Sequence, residues 1–441
     1  VRVYKFGGSC LCAPESLDRV RALVEAAGPP IVCVFSALSG VTDRLLDLAR
    51  RALLGDAEPE VAPLFRDHAA YLDRVSSERR SRAESKLEAL SEELRRTLLG
   101  IGYIREVSPR VRDRVAAFGE RAAVVLAEAL LAEAGLPVEA APDGDPGLFT
   151  DSVFGDARIL DSSQDEICRR YGKKEPRVHV VPGFIGRDAR GNLTTLGRGG
   201  SDYTATTIGA ALGCETTLWK DVDGLLTADP KIVPGARPIA RLHYLDALEL
   251  AHYGTKAIAE KAILPAMRAR TAIEIRGFKN PAIASRIDAE ESAVLAVACV
   301  RRAIMVDFLG VREDMLRTLA RLFHALAETH TYPLLLTEAS PRGETSIVLK
   351  ESDYPRLMEH LEAERPEEAP AISENLGVVA MIGSGMRGRV GFAASIFQCL
   401  ASQGVNIVAI AQTASERNVS VIVERSLVEE AVRALHARFL A

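Results

Sequence analysis

The rhythm of apolar and polar positions changes twice along this chain. Residues 2–6 read as a strand ending in Gly7-Gly8, and residues 16–27 carry Leu17, Val20, Leu23 and Val24 at helical spacing. Residues 30–35 form a second, wholly apolar strand closed by the small-residue turn Ser36-Ala37-Leu38-Ser39-Gly40. Strand, turn, helix, strand predicts a parallel βαβ unit with helices on both sheet faces. Further strands are predicted over 177–182, 216–219 and 272–276. Residues 57–100 differ: charge on every turn, Leu87, Leu90, Leu94 and Leu98 at helical spacing, and no strand signal. They predict a helical insertion on the edge of the main sheet with a solvated outer face.

Near Asp288 the texture changes. A strand-helix-strand pattern starts at Ala293 and returns after Pro370, with strands at 345–350 and 419–424 and helices at 315–329 and 391–404. A charged, proline-punctuated linker spans 362–370. The expected organisation is a domain over 1–289, a small α/β module over 290–372 and a second copy over 373–441.

Composition narrows the class of function. The chain has 441 residues, 48% hydrophobic and 26% charged, with net charge -5, so nothing draws it to nucleic acid or anionic lipid. No apolar run approaches the ~20 residues of a membrane helix. Seven dispersed cysteines, without a C-x-x-C pair, fit reduced thiols in a cytoplasmic protein rather than disulfides or a zinc site.

Three segments carry candidate chemistry. In Lys5-Phe6-Gly7-Gly8-Ser9 the glycines let the backbone approach a phosphate, and the lysine adds a mobile cation. Alone, Gly-Gly after a strand is more often only a turn. In 194–203, Gly197-Arg198-Gly199-Gly200-Ser201-Asp202 opens an apolar helix whose N-terminus suits an anion. Arg198 could hold a carboxylate and Asp202 an ammonium group, which together would clamp an amino acid; simple helix capping is the bland alternative. The third segment, 219–231, follows a strand and is dense in turn residues, placing it at the carboxyl edge of a sheet, where ligands bind in open α/β folds. Neither G-x-x-x-x-G-K-[ST] nor a G-x-G-x-x-G after a strand occurs, which excludes a P-loop NTPase and a plain Rossmann oxidoreductase.

These segments, with 34–43, Phe118-Gly119-Glu120-Arg121, Pro182-Gly183-Phe184 and Gly254-Thr255-Lys256, resemble the ordered motifs of aspartokinases over essentially the whole chain. The resemblance implies an α/β fold of the amino-acid-kinase type, a mainly parallel sheet sandwiched by helices. Two ferredoxin-like βαββαβ ACT modules would follow. It implies ATP-dependent phosphorylation of the aspartate side-chain carboxylate, with Mg²⁺ bridging the nucleotide and no protein side chain dedicated to a metal. Lys5 and Asp202 match the catalytic positions. Ser36, Thr42, Glu120, Arg198, Gly200 and Ser201 match positions around aspartate. Lys5, Gly7, Gly8, Ser9, Lys220, Asp221, Leu226, Lys231 and Lys256 match the ATP side, and four of the chain's ten lysines fall in these segments. Asn406, Ile407, Gln412 and Glu416 are candidates for contact with an amino-acid effector, lysine or threonine. A dimer or higher homo-oligomer through the ACT modules, without nucleic acid or membrane partners, is implied as well.

The chain departs from the family pattern at several points. Lys220 stands where threonine is common, Leu226 where tyrosine is, Lys231 where arginine is, and Ala259-Glu260 where a His-Pro pair often follows. Leu226 and Ala259-Glu260 keep alive a second reading, an amino-acid sensor on a kinase-like scaffold. A related kinase acting on glutamate or another carboxylate is the enzymatic rival; the paired modules and Arg198–Asp202 disfavour it.

Overall fold

The computed structural model describes residues 1–55, 61–173, 175–255, 257–308, 312–339, 344–363 and 370–440. Two compact units emerge: one contains residues 1–225 and 257–289, the other 226–256 and 290–441. The boundary expected at 289 is therefore interrupted, since 226–256 leaves the first unit for the second.

In the first unit seven strands lie in the order Val138–Ala140, Val178–Pro182, Ile31–Phe35, Arg2–Phe6, Thr216–Lys220, Ile273–Gly277, Ala284–Asp288. All neighbours are parallel except the last pair. The central strand is buried on both sides, which explains its lack of a clean alternating pattern. Its register aligns Phe6 with Phe35 and with Trp219. The chain therefore leaves three adjacent strands at one edge, at Gly7, Ser36 and Lys220. Phe6 stacks between Phe35 and Trp219 with ring centroids 5.4 and 6.5 Å away, and this aromatic layer turns Lys5 toward the opposite face.

The predicted insertion forms helices Val61–Ala69 and Ser77–Ile104. Its buried leucines, Leu87, Leu90, Leu94 and Leu98, join the same core as Phe6 and Ile31. Each contributes about 1.5–3 kcal/mol through burial. The long helix packs on helix Phe118–Glu133, which itself covers the sheet, so the insertion is an outer layer over a face and not an edge attachment.

The second unit contains the two expected ferredoxin-like modules, joined through shared central strands. Six antiparallel strands form one sheet, ordered Leu335–Ala339, Glu344–Lys350, Ala296–Phe308, Ala371–Ile382, Asn418–Glu424, Ala409–Gln412. The two central strands are long enough to serve both halves. Residues 303–307 pair with 371–376 to complete the half packed around Ile304, Leu326 and Leu357. Residues 296–300 pair with 378–382 and complete the other, around Ile396, Leu400 and Leu435. Register shifts between Val300 and Met305 separate the two stretches. The second half thus takes a strand from upstream of the first. Residues 364–369 of the expected linker, and Gly310 with Val311, lie outside the described residues.

Candidate active site

The site is built where the three central strands end. Gly8 must be glycine because a Cβ there would stand 2.8 Å from the Ala37 carbonyl oxygen; at Gly7 it would be 3.1 Å from Lys5 Nζ. The turn is tied down by Ser9 Oγ, which donates to Asp221 Oδ1 at 3.0 Å, and by Cys10 Sγ, which donates to the Trp219 carbonyl at 3.3 Å. Helix Gly200–Ala211 starts from Gly199 at φ +71°, where a Cβ would also meet Ala259 Cβ at 2.6 Å. That left-handed cap places Asp202 in the first turn.

Asp202 is the focus of the charges. Its Oδ1 lies 2.8 Å from Lys5 Nζ, and its Oδ2 accepts a hydrogen bond from Lys220 Nζ at 2.5 Å. Burial alone would raise this carboxyl; Lys220 and then Lys5 outweigh it and hold it down at about 2. Lys5 is itself buried, and desolvation lowers its ammonium below the ordinary lysine value despite Asp202.

Glu120 behaves differently. It projects from helix Phe118–Glu133, and its Oε1 accepts from the Ala37 amide at 3.2 Å. Its Oε2 is buried without a hydrogen-bond partner. Desolvation dominates, and the carboxyl is pushed up to about 8. Once the carboxyl releases its proton, a buried carboxylate oxygen with an open hydrogen-bonding position suits an ammonium ligand.

The remaining predicted positions divide. Ser36 and Thr42 follow the second strand and open the next helix, both half-buried. Gly200 and Ser201 are buried at the helix start, while Arg198 is exposed and has no ion pair among the described residues. Leu226 and Lys231 belong to the second unit, Leu226 half-buried beside Pro238 and Lys231 exposed. Lys256 lies outside the described residues. In the sensing region Asn406 and Gln412 are exposed and Ile407 is half-buried. Glu416 is already engaged, since its Oε2 accepts from the Gly388 amide at 2.7 Å.

Sequence reading missed two supports. Buried Asp113 accepts hydrogen bonds from the Thr195 amide, the Thr195 hydroxyl and the Gly155 amide at 2.7, 2.9 and 2.9 Å. It thereby fastens the segment that leads into Arg198. In the second unit Arg417, 3% exposed, pairs with Asp246 at 2.8 Å and with Glu291, while Asn418 Nδ2 donates to Glu249 at 2.9 Å. Neither set has a sequence signal, because the partners are far apart in the chain and of common types.

The described residues contain no group of three or more His, Cys, Asp or Glu placed to hold a metal ion, and no helix long and apolar enough to cross a membrane.

Aspartokinase 2, chloroplastic, of Arabidopsis thaliana is 28% identical, covering 99% of this chain and 84% of the relative. An aspartate kinase of Pseudomonas fluorescens is 29% identical, covering 99% and 97%. Among solved structures, E. coli aspartokinase III in complex with aspartate and ADP superposes with a TM-score of 0.84 at 24% identity over the whole of both chains. The same enzyme with lysine and aspartate gives 0.78. An ACT domain profile matches residues 379–439. With the Amino acid kinase family profile matching residues 1–277, well over half its length, the chain belongs to the amino acid kinase family.

Proposed function

We propose that this protein is an aspartate kinase, transferring the γ-phosphoryl group of ATP to the side-chain carboxylate of L-aspartate under control of its ACT region. The observation that carries this reading is the buried Lys5–Asp202–Lys220 cluster beside the Gly7-Gly8 turn: two cations on one carboxylate at a backbone turn open to phosphate. The relatives' shared activity and the fold support the same reaction.

The chemistry asks little of acid–base groups. The attacking β-carboxylate, with a reference pKa near 3.9, is already ionised at neutral pH. Its oxygen forms the new bond to phosphorus as the bond to the leaving ADP oxygen breaks, giving 4-phospho-L-aspartate with no proton to relocate. What remains is in-line positioning and stabilisation of charge on the phosphoryl oxygens. Lys5 meets that charge, and Gly7, Gly8 and Ser9 line the phosphate path. Arg198 binds the α-carboxylate through its paired donors. Because both oxygens of Asp202 face lysines, the substrate ammonium goes to Glu120 Oε2, with Ser36, Thr42 and Ser201 around the amino acid. Mg²⁺ would come with the nucleotide, neutralising its phosphates.

Lysine or threonine binding in the ACT region would provide feedback. Homo-oligomer formation through that region and a cytoplasmic location belong to the same reading. A hydroxamate-trapped assay with ATP, Mg²⁺ and L-aspartate tests it. Aspartyl hydroxamate, lost in Lys5→Ala and suppressed by one of the two amino acids, is the expected result. An inactive protein that still binds amino acid at its C-terminal region would establish a sensor instead.

A further inference from the structure

Asp202 has two owners drawn from different elements. Lys5 is on the central strand Arg2–Phe6, Lys220 closes the neighbouring strand Thr216–Lys220, and Asp202 starts the helix that covers them. Their side chains are 7%, 13% and 4% exposed. Two ammonium groups against one carboxylate leave a net positive charge where unbalanced charge is costly, a natural place for an anion.

A lone lysine–aspartate pair would behave differently. It would be neutral, and the carboxylate would hold its lysine with both oxygens. The second lysine takes Oδ2 at 2.5 Å, leaves Oδ1 alone to Lys5 at 2.8 Å, and supplies the excess charge. Gly7 keeps the ground beside Lys5 Nζ clear, since a Cβ there would stand 3.1 Å from it.

We infer that Lys220 is a positioning residue for phosphoryl transfer: by holding Asp202 Oδ2 it fixes the aspartate and leaves Lys5 free to shift onto the incoming phosphoryl oxygens. This rests on the kinase reading above and gives Lys220 a role acting through Asp202 rather than through the nucleotide. The groups facing Lys5 are Asp202, Lys220, Cys10 and, from helix Phe118–Glu133, Glu120. Burial is the main influence lowering the Lys5 ammonium; Asp202 raises it and Lys220 lowers it further. Removing the Lys220 charge leaves the whole carboxylate to Lys5, so Lys5 then keeps its proton to higher pH.

Two measurements on the full chain decide the matter. In protein labelled with ¹³C-lysine, the Lys5 ε-carbon signal, identified by its loss in Lys5→Arg, is titrated from neutral pH to about 11. In Lys220→Met the proton affinity of Lys5 rises about tenfold, and in Lys220→Arg, which keeps a cation, it stays near the parent value. An unmoved midpoint in Lys220→Met overturns the inference. In the kinase assay, Lys220→Met lowers kcat about 10- to 100-fold with KM for ATP and aspartate nearly kept, and Lys220→Arg recovers most of the loss. A raised KM for ATP with kcat intact would make Lys220 a nucleotide contact and also overturn it. If the parent protein phosphorylates no aspartate, the reaction assignment fails, while the titration still decides whether Lys220 controls Lys5.

Discussion

Lys5 Nζ and Asp202 Oδ1 lie 2.8 Å apart, the lysine from the first strand of the chain and the aspartate from a helix nearly two hundred residues later. The pair is almost wholly buried, so its charges are strengthened by the low local dielectric and expensive to separate. Most of what can be tested about this protein follows from how that cost is met.

Lys5→Ala is expected to reduce turnover about a thousandfold while the domain stays folded, because Asp202 retains Lys220. Asp202→Ala leaves two buried cations without an anion and costs about 3–5 kcal/mol of stability. Paired denaturant titrations check the order of the two variants. The stabilisation from Asp202, whose folded pKa is depressed to about 2, is present above its ordinary value and is lost as pH falls toward 2.

Glu120 has the opposite sign. Its folded pKa is raised to about 8, so between its ordinary value and 8 the folded state holds a proton that the unfolded chain has released. Stability contributed here is present at low pH and falls as pH rises toward 8, by up to about 5 kcal/mol. Glu120→Gln flattens this dependence. If Oε2 receives the substrate ammonium, KM for aspartate falls as pH rises through 8 in the parent protein and loses that pH dependence in the variant, which initial-rate kinetics would read directly.

Gly8→Ala puts a methyl group 2.8 Å from the Ala37 carbonyl, so one of the two backbones has to move. A loss of about 1–3 kcal/mol in stability and a raised KM for ATP are expected. Unchanged ATP kinetics would remove Gly8 from the phosphate path.

In the second unit Arg417→Met leaves Asp246 buried with no counter-charge, and about 3–5 kcal/mol of stability is expected to go. Arg417→Met combined with Asp246→Leu regains much of it. A double-mutant cycle in urea measures the coupling, and strict additivity would deny it.

A fragment of residues 373–441 lacks the strand at 296–300 that completes its sheet, leaving Val378–Ile382 as an open edge. Far-UV circular dichroism is expected to find it largely unfolded or aggregated, while 226–441 folds.

Periodicity and turn chemistry determined much of this molecule without help. Residues 2–6, 30–35 and 177–182 read as strands, and Gly7-Gly8 and Gly199-Gly200 announced their turns, because such constraints act within a few residues. The family motifs likewise marked Lys5, Glu120, Arg198 and Asp202. Only the tertiary structure decided that Lys220 and Lys5 share one carboxylate, that Glu120 keeps an unpartnered oxygen, and that Arg417 finds Asp246. It also decided that the C-terminal halves exchange a strand and that 226–256 leaves the first unit. Those facts depend on distant segments meeting, on burial that turns ordinary side chains into costly charges, and on strand length exceeding one module. None of these is encoded in local pattern, since the same residues on a solvated surface would read identically.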